Sequence, residues 1–169
     1  MIRPFGNRRP EISDSAFIHP SAEVIGEVRI GARSSVWCNA SVRGDVNRIE
    51  IGEETNIQDN CCLHVDGDKP LRLGDRVVVG HSVTLHACVV EDEAQIGMGA
   101  TVLSGARVGK GTIVAAGSLV VEGAEIPPNC VVMGVPAKVR RAARDEEREG
   151  VRRRTQSYVD LSKKHRESL

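Results

Sequence analysis

Aliphatic residues recur at a step of six along most of this chain. From Ile18 the step visits Val24, Ile30, Val36 and Val42; it resumes at Ile51, Ile57 and Leu63, and again at Leu73, Val79 and Leu85. One five-residue step then leads to Val90, Ile96, Val102, Val108, Val114, Val120, Ile126 and Val132. With about a quarter of the chain aliphatic, chance produces such a final run about once in ten thousand trials or fewer. Four residues after most of these positions stands something small or β-branched, such as Ala22, Ser34, Ala40, Thr55, Cys61, Val77, Ala94, Ala106, Thr112 or Cys130. Glycine often follows the aliphatic directly, at Gly31, Gly52, Gly74, Gly80, Gly97 and Gly109, where a turn wants a permissive backbone. A six-residue period drifts around an α-helix and leaves no stable apolar face. It suits a short strand followed by a tight corner. Strands of that length bury nothing alone and must stack, which predicts an all-β chain, a parallel β-helix.

Units such as Ile30-Gly31-Ala32-Arg33-Ser34-Ser35 resemble the hexapeptide transferase family. That resemblance implies a left-handed parallel β-helix of hexapeptide repeats, three to a coil, hence about six coils here. The pattern ends at Gly134-Val135-Pro136, so residues 1–136 are expected to form the β-helix domain with a short N-terminal lead-in. Residues 137–169 hold no hexad and are expected to form a C-terminal α-helical segment packing on the prism. Arg141 and Asp145 are placed for an i, i+4 pair, and Gly150 is expected to divide two helical pieces.

Composition narrows the class further. Lys+Arg and Asp+Glu balance at 23 each, so no global field draws nucleic acid or a membrane surface. Aromatic residues are 2% of the chain, and the core must therefore be aliphatic. The first residues lack an apolar leader, and five cysteines without a CxxC fit free thiols in a reducing compartment. A cytoplasmic protein is expected. Cys61 and Cys130 fall at the small inward position and read as core thiols, while Cys88 could share the side of its strand that carries His86.

The repeat makes the histidines informative. If each interruption bulges from a corner, the hexads at Val42, Leu63 and Leu85 share one face on successive coils. The residues one step later are Arg43, His64 and His86, so the two histidines stack about 4.8 Å apart at the backbone, suited to one metal ion. His81 falls on the neighbouring face, with Gln58 one coil lower and Asn56 just before it. Prisms packed around a threefold axis would bring the first face of one subunit against the second face of the next. Three imidazoles would then leave a fourth tetrahedral position open, the layout of a catalytic zinc site. His19 and His165 lie away from this set.

The stretches Arg43-Gly44-Asp45, Asn56-Ile57-Gln58-Asp59-Asn60, Leu63-His64 and Gly80-His81-Ser82-Val83-Thr84-Leu85-His86 resemble the γ-class carbonic anhydrase family. The resemblance implies a homotrimer with zinc, or Fe²⁺ or Co²⁺, at each interface, held by His64 and His86 of one subunit and His81 of the next. The implied substrate pair is CO2 and bicarbonate, interconverted by a metal-bound hydroxide. It further implies that Gln58 orients that hydroxide, that Asn56 helps place CO2, that Arg43 and Asp45 make a polar contact across the interface, and that Tyr158 reaches the site region. The acidic shuttle loop of the best-known members is not matched. Val46 follows Asp45, and the short loop after His64 offers only Asp66 and Asp68 as proton relays. Alternatives are a metal-dependent thioesterase, a catalytically silent relative, and more distantly a hexapeptide acyltransferase using one histidine as base.

Overall fold

A computed structural model describes residues 1–168. The chain is a left-handed parallel β-solenoid of about seven turns, closed by one α-helix. Each inward aliphatic of the hexad register sits over its counterpart one coil away. Val36 pairs with Ile57 and Ile57 with Val79 on one face, and Val42 with Leu63 and Leu63 with Leu85 on the next. Nearly all of them are fully buried; only the end members Ile18 and Ile126 are partly exposed. The small residues of the repeat fill the corners. Their hydroxyls donate to carbonyls of the next coil, Ser34 to Gly52 at 2.6 Å, Thr55 to Gly74 at 2.8 Å and Thr112 to Pro127 at 2.7 Å, which satisfies buried polar groups inside an apolar prism.

The glycines that follow the aliphatics serve another purpose than the one expected. Gly31, Gly52, Gly74, Gly80, Gly97 and Gly109 do not take up the left-handed region; the positive φ falls two residues later, as at Arg33 (57°), Glu54 (55°) and Arg76 (56°). A Cβ on Gly31 would instead lie 2.6 Å from the backbone of Gly52 in the next coil, and one on Gly109 would lie 2.6 Å from Pro128 N. Close stacking of backbone on backbone requires these glycines.

The count of about six coils falls one short because the lead-in is itself a coil. Ile2–Arg3 pairs with Val24 and Ile25, and Glu11–Ile12 pairs with Arg29 and Ile30. The two interruptions behave as corner insertions. The first lies within the long strand Ser41–Ile51, which crosses a corner and pairs at both ends; the second is the loop between Cys62–His64 and Leu71–Leu73.

Three faces result. The first, running from Phe17–Ile18 to Cys130–Met133, lies under the C-terminal helix. The second carries His64 and His86. On the third, the outward residues Glu11, Arg29, Glu50 and Arg72 alternate in sign in direct register, and Val89, Arg107 and Glu125 continue the column.

The tail differs from expectation in three respects. Lys138–Ala142 is a strand, antiparallel to Cys130–Met133, which closes the last coil of the first face. Arg141 therefore does not pair with Asp145; it makes two bonds of 2.7 Å to the Glu147 carboxylate, which also accepts the Arg144 backbone N–H at 2.9 Å. Gly150 breaks nothing, since a single helix runs Asp145–Glu167. Its cost of about 1 kcal/mol is offset by burial of Val151, Thr155, Val159 and Ser162 against the prism. Acidic residues in the first turn and basic ones in the last suit the helix dipole. At 23 residues the helix extends about 35 Å, matching the stacked coils. It descends from Arg148, bonded to Asn129, past Arg152 on Glu93, to Arg166, which reaches the carbonyls of Asp14 and Ala16. Among the described residues no helix is long and apolar enough to cross a membrane.

Candidate metal centre

The expected histidine stack is present. His64 and His86 are direct register partners on adjacent parallel strands, with ring centroids 5.2 Å apart. His64 Nδ1 and His86 Nε2 approach to 3.1 Å. Two nitrogens bound to one tetrahedral metal at about 2.0–2.1 Å lie about 3.3 Å apart, so this pair already has the spacing of two ligands. Their far nitrogens are held as well. His64 Nε2 lies 3.0 Å from Asp45 Oδ1, and His86 Nδ1 lies 2.9 Å from Ser104 Oγ and 3.6 Å from Asp66 Oδ1. Because an ionised carboxylate only accepts, the chain has one direction. His64 donates to Asp45, His86 donates to His64, and the Ser104 hydroxyl donates to His86. A hydroxyl serves either ring tautomer, so Ser104 can turn to accept when His86 gives up the Nε2 proton to bind an ion.

Asp45 is the hub of this half. Burial raises its carboxyl pKa, but hydrogen bonds from His64 and Arg43 outweigh that and hold it below the ordinary carboxylate range. Arg43 and Asp45 pair within one chain, and Asp45 Oδ1 also accepts the Val46 N–H at 3.1 Å.

The second half lies around the corner that follows Val78–Val79. Gln58 and Asn56 are buried, and Gln58 Nε2 donates to Asn56 Oδ1 at 3.0 Å; Asn56 Nδ2 is buried without a partner. His81 stands at the corner, 40% exposed, with Nδ1 2.9 Å from Asp59 Oδ2. Tyr158 comes from the helix onto this side and packs edge-on against Trp37, 5.5 Å between ring centroids. Its hydroxyl pKa is raised by burial and then by the Asp59 charge. Thus Gln58, Asn56, His81 and Tyr158 share one region, while His64, His86, Arg43 and Asp45 share another. Among the described residues, no three His, Cys, Asp or Glu side chains of one chain converge on a metal position.

Cys88 is not part of either half. The Thr84–His86 strand ends, Ala87 takes φ 44°, and Cys88 turns into the core, where burial pushes its thiol up to about 12. Cys61 and Cys130 are buried as expected. Asp59 and Ser104 are the contacts that the hexad reading missed. Asp59 was visible as the residue after Gln58, one coil below His81. Ser104 sits a coil above His86 at a corner where side-chain direction depends on local φ.

Residues 87–122 match the family described as bacterial transferase hexapeptide, six repeats. The chain is 42% identical to a carbonic anhydrase of Geobacillus kaustophilus over 95% of its own length and 88% of that protein's. It is 44% identical to the mitochondrial gamma carbonic anhydrase 2 of Arabidopsis thaliana over 94% of its length. The chain belongs to the γ-carbonic anhydrase family. It spans 59% of the length of the Arabidopsis member. A solved structure from Bacillus cereus, bearing the name "putative acetyltransferase", superposes with a TM-score of 0.98 at 42% identity, covering 99% of this chain and 98% of that one. Carbonic anhydrase membership implies a metal cofactor, and the paired imidazoles with their anchored far nitrogens fit one.

Proposed function

We propose that this γ-carbonic anhydrase family member hydrates CO2 reversibly at metal centres shared between the subunits of a homotrimer. The observation that carries the reading is the His64–His86 pair, whose facing nitrogens are 3.1 Å apart. His81 belongs to the coil that continues into His86, one face earlier, so prisms related by a parallel threefold axis bring His81 of one subunit to the height of the pair on the next. The surface beyond the histidines supports this packing. Leu103 and Val121 continue the column of His64 and His86, and Met98 stands above His81, with Met98 and Val121 exposed in the single chain.

Zn²⁺, Fe²⁺ or Co²⁺ bound to three neutral imidazoles would supply Lewis-acid activation of water near neutral pH. The chain's own residues do the rest. Gln58, with one amide N–H spent on Asn56, turns its carbonyl to accept a hydrogen bond from the attacking water and so orients it. Asn56 fixes Gln58 and offers its unpartnered Nδ2 toward a substrate oxygen. The apolar wall of Leu103, Val121 and Met98 favours CO2 over water. Asp66 is better placed than Asp68 to receive the released proton, being 3.6 Å from His86 Nδ1, whereas Asp68 is mostly exposed and bonded to Lys69. Tyr158 covers the Gln58 side. Acyl transfer, the activity in the Bacillus neighbour's name, needs one base and leaves two of the three histidines without a purpose.

Complementation tests the shared centre. His81→Ala and His86→Ala subunits should each bind no metal alone. In a refolded equal mixture, about a quarter of interfaces combine an intact His64–His86 pair with an intact His81, and metal content should recover to about that level. Metal retained by either variant alone, or none recovered in the mixture, overturns the reading. CO2 hydration by the metal-loaded protein then separates a lyase from a thioesterase or a silent relative.

A further inference from the structure

We infer that Asp59 is a positioning residue that fixes which ring nitrogen His81 presents; the inference rests on the shared metal centre proposed above. Coil register sets the geometry. Asn56 pairs with Val78 and Ile57 with Val79, which puts Asp59 directly beneath His81 at the same corner of the prism. The Ser82 N–H donates to the Asp59 carbonyl at 2.9 Å, and the Asn60 N–H donates to the Cys38 carbonyl one coil lower at 2.9 Å. Asn60 and Ser82 both hold left-handed φ values, 61° and 60°. Two stacked turns of matching shape thus present the two side chains, and Asp59 Oδ2 meets His81 Nδ1 at 2.9 Å.

The chemistry follows from the acceptor. A carboxylate has no proton to give, so Nδ1 of His81 carries the hydrogen and Nε2 keeps its lone pair. Nε2 is the atom at the far end of the ring, on a side chain that is 40% exposed in the single chain. Asp59 therefore holds His81 in the tautomer and orientation that a neighbouring subunit's half-site requires, before any ion arrives. In both halves a carboxylate from the coil below holds the far nitrogen of a histidine, Asp45 for His64 and Asp59 for His81; the His81 half has no second imidazole to align its single ligand. Asp59 also faces the Cys38 thiol, which its charge and hydrogen bond push up after burial, and the Tyr158 ring of the helix. Neither is a ligand of the proposed centre, so the His81 contact can be tested apart from them.

The test uses the full chain and Zn²⁺ in competition with a chelator. Asp59→Ala should lower zinc affinity by about 10–100-fold, and Asp59→Asn, whose amide carbonyl can still accept, should fall between it and the wild type. Cys38→Ala, which removes another neighbour of Asp59, should keep wild-type affinity. A readout without metal comes from ¹⁵N-resolved imidazole spectra of the apo-protein. His81 should carry its proton on Nδ1 in the wild type and lose that preference in Asp59→Ala. If Asp59→Ala binds zinc like the wild type while His81→Ala has lost it, the positioning role is overturned and the shared centre stands. A proton found on Nε2 of His81 in the wild-type apo-protein overturns the positioning role as well. If His81→Ala itself retains zinc, the centre fails, and the Asp59 assignment fails with it. Should Asp59→Ala not fold, Asp59→Asn and the wild-type spectra decide alone.

Discussion

Replacing Trp37 by alanine should detach the C-terminal helix from the prism. Trp37 is 4% exposed and lies at the centre of the aromatic contacts, 5.2 Å from Phe17, 5.5 Å from Tyr158 and 5.0 Å from His165 between ring centroids. Its indole N–H donates to Ser35 Oγ at 2.9 Å. A buried indole removes about 150–250 Å² from water, worth about 4–6 kcal/mol as an upper bound, and partial collapse of the hole brings the expected loss to about 3–5 kcal/mol. Much of that loss should fall on docking, because the helix buries only Val151, Thr155, Val159 and Ser162, and helices in proteins draw most of their stability from such packing. Thermal unfolding at fixed protein concentration gives the total, and hydrogen exchange assigns it. Exchange in the helix should rise by at least about tenfold while that of the central coils changes little. A total loss below about 1 kcal/mol with unchanged helix exchange would refute the anchoring role. The same variant should uncover the Asn56–Gln58 pair, so a released helix predicts impaired turnover with the histidines intact.

Two other outcomes follow from charges and thiols. Burial raises the Glu93 pKa, but Arg152, with Lys110 and Arg76, outweighs it and sets it below its unfolded value of about 4.3. Its contribution is therefore complete above that pH and lost as pH falls through the folded pKa, so helix protection factors, exchange rates referred to the free peptide at the same pH, should fall on acidification below about pH 4, and Glu93→Gln should flatten that limb. Cys61 and Cys88, both pushed up to about 12 by burial, should resist alkylation at about pH 8 in the folded protein and react once it is unfolded; labelling of either in the native state would contradict their place in the core.

Much of this architecture was legible because one physical signal repeats. A six-residue aliphatic step with a small partner admits few arrangements, and once it is counted the register of His64 under His86, and of Gln58 under the His81 corner, follows from arithmetic. What escaped lacks that signal. Ile2–Arg3 and Glu11–Ile12 become a coil by pairing to the next strand, not by burying a hexad. Lys138–Ala142 is fully exposed and is a strand only because Cys130–Met133 offers it an edge. Gly150 carries a helix because docking outweighs its local preference. The outward contacts of Asp59, Asp45 and Ser104 depend on how each corner aims its side chains, which periodicity does not encode.

The alternating column on the third face bears on how the chain finds its coil order. Each level there offers a similar inward aliphatic, such as Ile30, Ile51, Leu73, Val90 or Val108, so a strand that annealed two levels away would bury a similar core. The outward charges distinguish the two outcomes. Threading that skips a level sets Glu11 against Glu50, Arg29 against Arg72, and Arg72 against Arg107, where the native order sets opposite signs or a neutral Val89 together. At about 0.2–1 kcal/mol for each like-charged pair, the penalty grows with every strand that follows the wrong template. A repetitive sequence thereby carries, on its solvent side, a check against skipping a turn that its interior cannot provide.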